Sequence, residues 1–254
     1  MNPKLTLVGA GPGDPDLITV KGIKALASAD VILYDALVHP DLLQYAKSNA
    51  KKVYVGKRAG AHSYSQDEIN QLIVDNALSH GHVVRLKGGD PFIFGRGKEE
   101  MEYAEVFDIP TEIVNGVSSI TTPGNYGIPL TRRGVNESFW VVTATKSDGS
   151  LSKDISLMAQ SSATAVILMG LRKLDQIVKL FQLHGKGHIP AAIISKGSLP
   201  EGKVILGEVD TLLKKKKEER VEAPAIIVIG ESVGTHKDFY ELVENVNSVI
   251  EEKL

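Results

Sequence analysis

The stretch Arg85-Leu-Lys-Gly-Gly-Asp-Pro-Phe-Ile-Phe-Gly-Arg-Gly-Lys-Glu-Glu100 concentrates residue types suited to holding a small molecule. Gly88 and Gly89 permit positive φ and let a ligand reach the backbone with no Cβ in the way. Asp90 offers a carboxylate acceptor to a polar ligand, and Pro91 stiffens the turn that presents it. A second loop, Gly9-Ala-Gly-Pro-Gly-Asp-Pro15, follows the apolar run 5–8. Its glycines approach a dinucleotide fingerprint, but the third fingerprint glycine falls on Asp14 and Pro12 has no amide for a phosphate. It reads as a rigid loop facing a ligand. Asp35 ends the run 31–34, where a carboxylate serves equally as a catalytic group or as a helix or turn cap. Lys57 and Arg58 stand between glycines in Gly56-Lys-Arg-Ala-Gly60, and Arg132 and Arg133 stand in the loop Gly127-Ile-Pro-Leu-Thr-Arg-Arg-Gly134.

Strands must deliver these loops. Residues 5–8, 31–34, 52–55, 82–86 and 112–114 are short and apolar, the signature of buried strands. Between them lie helical patterns: 19–28 with Ile23, Leu26 and Ala27 inward, 65–77 opened by the capping box Ser65-Gln-Asp-Glu68, and 99–107 with Met101, Ala104 and Phe107 on one face. Such alternation favours a mostly parallel sheet whose strand ends bind ligands. A second series follows: strands at 138–143, 165–169, 191–195, 203–206 and 225–229, a helix with Leu174, Ile177, Val178 and Phe181, and a closing helix carrying Phe239, Leu242, Val243, Val246 and Ile250. Two α/β lobes, 1–134 and 135–254, are the natural division, without internal repeat.

Bulk properties narrow the function. The 254 residues are 43% hydrophobic and 24% charged, ordinary for a globular protein, and the formal charge of −2 argues against binding nucleic acid by bulk electrostatics. With no cysteine, thiolate catalysis and cysteine-ligated metal are excluded. No apolar run reaches membrane-span length and the N-terminus shows no signal-peptide pattern, so a cytoplasmic protein is expected. The pairs His80/His82 and His184/His188 lack a nearby carboxylate motif, so no metal is expected. Lys214–Lys217, followed by acidic residues, reads as a solvated helix face. Ser118-Ser119 is not in a nucleophile elbow.

Taken in order, Gly9-Ala-Gly-Pro-Gly-Asp-Pro, Val31-Ile-Leu-Tyr-Asp-Ala-Leu-Val, Gly56-Lys-Arg, Gly88-Gly-Asp-Pro-Phe-Ile-Phe-Gly-Arg-Gly and Gly127-Ile-Pro-Leu-Thr-Arg-Arg resemble the tetrapyrrole methylases, in particular the branch that C-methylates uroporphyrinogen III. Val166-Ile-Leu-Met-Gly170 and Ala223-Pro-Ala-Ile-Ile-Val-Ile-Gly230 extend the likeness into the second lobe. The resemblance implies a two-lobed α/β fold with a mixed, mostly parallel sheet in each lobe, a homodimer, and S-adenosylmethionine (SAM) held in the cleft between the lobes. On that pattern Pro12, Gly88, Gly89, Asp90, Ile93, Ser118, Ser119, Met169, Gly197 and Ala225 contact the cofactor. Asp35 is the proton acceptor and Lys57 the proton donor. The implied reaction methylates two ring carbons of uroporphyrinogen III to give precorrin-2, for sirohaem or cobalamin synthesis, leaving S-adenosylhomocysteine. The alternative is a sibling methylase acting on a later corrinoid or on rRNA ribose. A macrocycle rich in carboxylates needs cations, and Arg58, Arg96, Arg132 and Arg133 are the candidates because arginine grips carboxylate bidentately. The chain departs from the pattern at Asn115, where proline is usual, and at Ala144-Thr145, where Gly-His is common.

Overall fold

Parallel strands need a crossover between them, and the spacers in the first half are long enough to supply one. The computed structural model describes residues 2–56 and 64–239, and the chain divides into two units, Met1–Ser119 and Ile120–Leu254. The first contains β1 (Lys4–Gly9), α1 (Val20–Ser28), β2 (Val31–Tyr34), β3 (Lys51–Tyr54), α2 (Gln66–His80), β4 (His82–Lys87), α3 (Gly97–Glu105) and β5 (Thr111–Val114). The sheet order is β3-β2-β4-β1-β5 and every pairing is parallel. All five carboxyl ends therefore share one edge, and the loops that begin at Gly9, Asp35 and Gly88 leave from it.

Alternation along the strands covers both faces, as a parallel sheet requires. Leu5, Leu7, Leu33 and Val83 pack with Ile69, Ile73 and Ala77 of α2 and Ala104 of α3. Val8, Ile32, Val84 and Leu86 pack on the other side with Leu26 of α1. Thr19 Oγ1 caps α1 by accepting from Gly22 N at 3.1 Å. At α2 the expected capping box is formed: Ser65 Oγ accepts from Glu68 N (3.2 Å), and Glu68 Oε2 accepts from Ser65 N (2.6 Å).

Two inward assignments are corrected. On α1 the buried residues are Gly22 and Leu26, whereas Ala27 is exposed, because the helix lies on the sheet through Gly22, which faces Val8 and Ile18. After α3 the chain turns at Glu105, so Phe107 lies beyond the helix and is 41% exposed, and the buried positions are Gly97, Glu100 and Ala104.

The second unit contains β6 (Phe139–Thr143), α4 (Asp154–Gln160), β7 (Thr164–Leu168), α5 (Leu174–Leu183), β8 (Pro190–Ser195), β9 (Lys203–Glu208), α6 (Leu212–Glu218) and β10 (Ala225–Ile229), with sheet order β6-β7-β10-β8-β9. Only β6 and β7 pair in parallel; the other three pairings are antiparallel. The mostly parallel sheet expected in each half is thus found in the first, and the second is mixed. One face is covered by α4, α5 and α6 through Ile155, Met158, Ile177, Phe181 and Leu212. The other face takes Ile128, Val233 and Phe239, with Ile120, Tyr126 and Leu130 beside them. This packing draws the segment from Ile120 onward into the second unit, ahead of the 134/135 division expected.

Lys215 and Lys216 of α6 reach back to the carbonyls of Leu206 and Leu171, each at 2.7 Å, while Lys214 stays exposed, so the lysine run is only partly a solvated face. Of the expected closing helix only Phe239 is described; Leu242, Val243, Val246 and Ile250 lie outside the described residues. Among the described residues no helix is long and apolar enough to cross a membrane.

On edge strand β5, Glu112 accepts from Lys4 and Lys21, each at 2.7 Å. The bond from Lys21, then that from Lys4, pulls its carboxyl from 4.5 down to about 2. A carboxyl with a depressed folded-state value stabilises the fold above its unfolded value and loses that contribution as pH falls through the folded one. The window is therefore 4.5 down to about 2. Solvent and salt screen these exposed pairs. In urea unfolding at low salt, Glu112→Gln should lose stability less steeply than the parent across that window. Equal slopes would mean that the pairs do not couple to folding.

Candidate active site

The ends of β1 and β4 are joined by backbone hydrogen bonds, and the end of β5 closes on both through Gly116. Ala10 N donates to Lys87 O (2.7 Å), Gly89 N to Gly11 O (2.6 Å) and Gly11 N to Gly89 O (3.3 Å). A Cβ on Gly9 would lie 2.5 Å from Gly116 Cα and 2.6 Å from Gly89 O, and one on Gly116 would lie 2.7 Å from Gly9 Cα. No side chain fits between these strand ends. Gly89 differs: its φ is +70°, and a Cβ there would approach only Ser119 N, at 3.9 Å. The loop thus has a closed floor and one open side.

Asp90 is 7% exposed and is fully engaged in tying these loops together. Its Oδ1 accepts from Phe92 N (2.8 Å), and its Oδ2 accepts from Gly116 N (3.1 Å) and Asn115 Nδ2 (3.3 Å). The sequence suggests an acceptor for ligand; the structure gives this carboxylate a prior task, closing the 88–97 loop onto the 115–119 loop. Asn115 supplies a donor that proline at this place would lack. Beyond Asp90, Ile93 and its neighbours Phe92 and Phe94 are exposed, Pro12 is half-buried in the 9–15 turn, and Ser118 is buried.

Asp35 leaves β2 in a turn that packs against this loop, since a Cβ on Gly88 would lie 2.5 Å from Leu37 Cβ. Its Oδ1 accepts from Leu37 N (3.1 Å), and its Oδ2 faces Arg85 Nη2 (3.4 Å). Asp35 is therefore both a turn cap and a half-buried carboxylate at the sheet's carboxyl edge. Behind it lies a network that sequence reasoning missed. Arg85 and Lys87 alternate with Val83 along β4 and point to the α2/α3 face, where Glu100 accepts from Lys87 Nζ (2.7 Å), Gln66 Nε2 (3.2 Å) and Arg85 Nε (3.3 Å). Burial, and then the Arg85 charge, holds the Lys87 ammonium below its ordinary value against the pull of Glu100 and Asp35. The available signal was two cations at i, i+2 among the apolar residues Val83, Val84 and Leu86.

The expected cations have different fates. Lys57 and Arg58 lie outside the described residues. Arg96 already grips a carboxylate, with Nε and Nη2 on Glu99 at 3.0 and 2.5 Å, a bond that raises the arginine and lowers the glutamate from their ordinary values.

In the second unit, Met169 follows β7 with φ +53° and is held by Thr145 Oγ1 donating to its carbonyl (3.1 Å). Gly197 follows β8, and its carbonyl accepts from Asn125 Nδ2 (3.1 Å). Ala225 opens β10 opposite Ser195. Because β10 runs against β7 and β8, these three residues share one end of the sheet. Arg132 and Arg133 are exposed and pair with no carboxylate among the described residues. Arg132 N donates to Asn136 Oδ1 (2.8 Å), and Asn136 Nδ2 donates to Thr164 Oγ1 (3.1 Å) at the start of β7. Their loop is thus tethered at the end of β7 opposite Met169.

The model of the tetrapyrrole (corrin/porphyrin) methylases matches residues 4–213. The chain belongs to the tetrapyrrole methylases. This methylase is 45% identical over 236 residues to the uroporphyrinogen-III C-methyltransferase of Methanocaldococcus jannaschii, a match covering 92% of this chain and 98% of that one. It is also 45% identical to the sirohaem synthase of Actinobacillus pleuropneumoniae, of whose length it spans 48%. The solved uroporphyrin-III C-methyltransferase of Thermus thermophilus, complexed with S-adenosylhomocysteine, superposes with TM-score 0.78 at 36% identity over 91% of this chain and 98% of that one.

The first unit of the methylase fits a SAM ligand: the open side at Gly89 admits a group against bare backbone, near Ser119 N. No cluster able to hold a metal ion occurs among the described residues. Asp90→Ala removes the acceptor of Phe92 N and Gly116 N, so it should lower stability by about 1–3 kcal/mol as well as weaken SAM binding. Urea unfolding and calorimetry check both. Weakened binding at unchanged stability would show that Asp90 serves the ligand alone.

Proposed function

We propose that this tetrapyrrole methylase transfers methyl groups from SAM to two ring carbons of uroporphyrinogen III, giving precorrin-2 for sirohaem or cobalamin synthesis. The observation that carries the reading is the 45% identity over nearly the full length of a uroporphyrinogen-III C-methyltransferase. The glycine-floored loops at one sheet edge agree with it. In this reading Pro12, Gly88, Gly89, Asp90, Ile93, Ser118 and Ser119 of the first unit hold SAM, and Met169, Gly197 and Ala225 are its contacts from the second. Bound SAM supplies a methyl group already activated on a sulfonium, so the protein's main task is to place a carbon nucleophile.

Each ring methylation releases a proton from the reduced macrocycle, and Asp35 accepts it at the carboxyl edge of the first sheet. Lys57 donates a proton or balances charge. Arg58, Arg96, Arg132 and Arg133 grip the substrate's carboxylates, Arg96 by exchanging its partner Glu99 for one of them. We read the methylase as a cytoplasmic homodimer, a state supported by Phe139 and Trp140, exposed on the edge strand β6. A monomer in light scattering that keeps full activity would remove the dimer.

Labelled SAM should transfer two methyl groups to each uroporphyrinogen III and none to rRNA. Label appearing in rRNA, or only in a later corrinoid, would replace the substrate in this reading. Asp35→Asn should lower kcat roughly 10²–10⁴-fold with SAM affinity nearly intact. Arg132→Ala should raise KM for uroporphyrinogen by the equivalent of about 1.5–3 kcal/mol without changing SAM affinity, measured by steady-state kinetics and calorimetry.

A further inference from the structure

Glu100 bonds through one oxygen only. Its Oε1 accepts from Lys87, Gln66 and Arg85, whereas Oε2 is the one buried side-chain polar atom among the described residues without a partner. The side chain has no exposed surface, and Lys87 and Arg85 are each almost fully buried beside it. Such a cluster is a poor source of stability, because removing ions from water costs about as much as their attraction returns. What it does supply is orientation. A guanidinium is a rigid planar fork. Here Nε is held by Glu100 (3.3 Å) and Nη1 by Leu86 O (2.9 Å), which leaves Nη2 aimed at Asp35 Oδ2 (3.4 Å). Lys87 holds the same Glu100 oxygen (2.7 Å), and Gln66, itself bonded to Asn70 (2.9 Å), completes the support.

We infer that Glu100 is a positioning residue: by fixing the Arg85 guanidinium it sets the orientation of the Asp35 carboxylate at the substrate side of the sheet. Helix α3, which follows the ligand loop, is thereby linked to the carboxylate that ends β2. The inference deepens the reading of Asp35 as proton acceptor and rests on it.

The test compares kcat with uroporphyrinogen III and SAM affinity by calorimetry in Glu100→Gln, Asp35→Asn, the two combined, and Lys87→Met/Glu100→Gln. Glu100→Gln should lower kcat about 10–100-fold, since misplacing a reacting group by an ångström has that effect, with SAM affinity within about threefold. Added to Asp35→Asn it should cost almost nothing further, because residues acting through one another are not additive. An unchanged kcat in Glu100→Gln, or the same factor lost again in the Asp35→Asn background, overturns the inference. Lys87→Met/Glu100→Gln restores the cluster's charge balance and decides the matter should Glu100→Gln alone fail to fold. A kcat that stays low there supports positioning; a recovered kcat shows that Glu100 only balances charge and overturns it. Normal kcat in Asp35→Asn would remove the proton-acceptor reading and this inference together, whereas an impaired Asp35→Asn beside an active Glu100→Gln removes this inference alone.

Discussion

Three strand ends of the first unit touch backbone to backbone at Gly9, Gly89 and Gly116, with no space for a Cβ on Gly9 or Gly116. Neighbouring strands in a sheet lie about 4.8 Å apart, and loops leaving them normally diverge. Here they converge, because Gly11 and Gly89 exchange both backbone hydrogen bonds and Asp90 pins the third loop through Gly116 N. The open side of Gly89 exists only because the floor beneath it is closed. Glycine at these two floor positions is thus a steric requirement of the fold before it is a requirement of any ligand.

Charge lies directly behind that floor. The α2/α3 face of β4 carries Val83, Arg85 and Lys87, and two carboxylates, Glu100 and Asp35, face the two cations. The cluster is neutral in sum, which makes its burial tolerable, and the depressed Lys87 value shows the desolvation it still bears. The opposite face of the same strand is apolar through Val84 and Leu86, with His82 bonded to Thr6 at its start. The charged cluster thus sits at the carboxyl end of an otherwise apolar layer, on the side that leads to Asp35.

Much of this was legible in the sequence. Ser65 and Glu68 announce α2 because the capping box is local, and the alternating strands and helices of the first half announce a parallel sheet because each crossover is visible as a spacer. The second sheet was harder. Strands β7, β8 and β10 are continuous apolar runs buried on both faces, a pattern typical of parallel sheets, yet they pair antiparallel with helices on one side and the Ile128 and Phe239 segments on the other. Helix α4 has only seven residues, and Ser152, whose Oγ accepts from Asp154 N (3.3 Å), is a short polar signal within a polar stretch that reads as loop. Asp90 was legible as a special residue but not as a staple, since its partners Asn115 and Gly116 lie on another strand's loop. Glu100 was hidden for the same reason: its partners come from β4 and α2.

The order β3-β2-β4-β1-β5 also has a consequence for synthesis. Strand β1 leaves the ribosome first, but both of its neighbours, β4 and β5, come later, and its pairing with β5 runs from Leu5 opposite Thr111 to Val8 opposite Val114. Both edges of this apolar strand stay unsatisfied until β4 has emerged, and one of them until Val114 has, the exposure that invites wrong partners. The second unit has nearer partners to begin from, since β6 finds β7 and β8 finds β9 before β10 closes the sheet between them. The geometry that builds the floor under Gly89 thus joins the first strand of the unit to its last, and the floor is complete only when that unit's chain is.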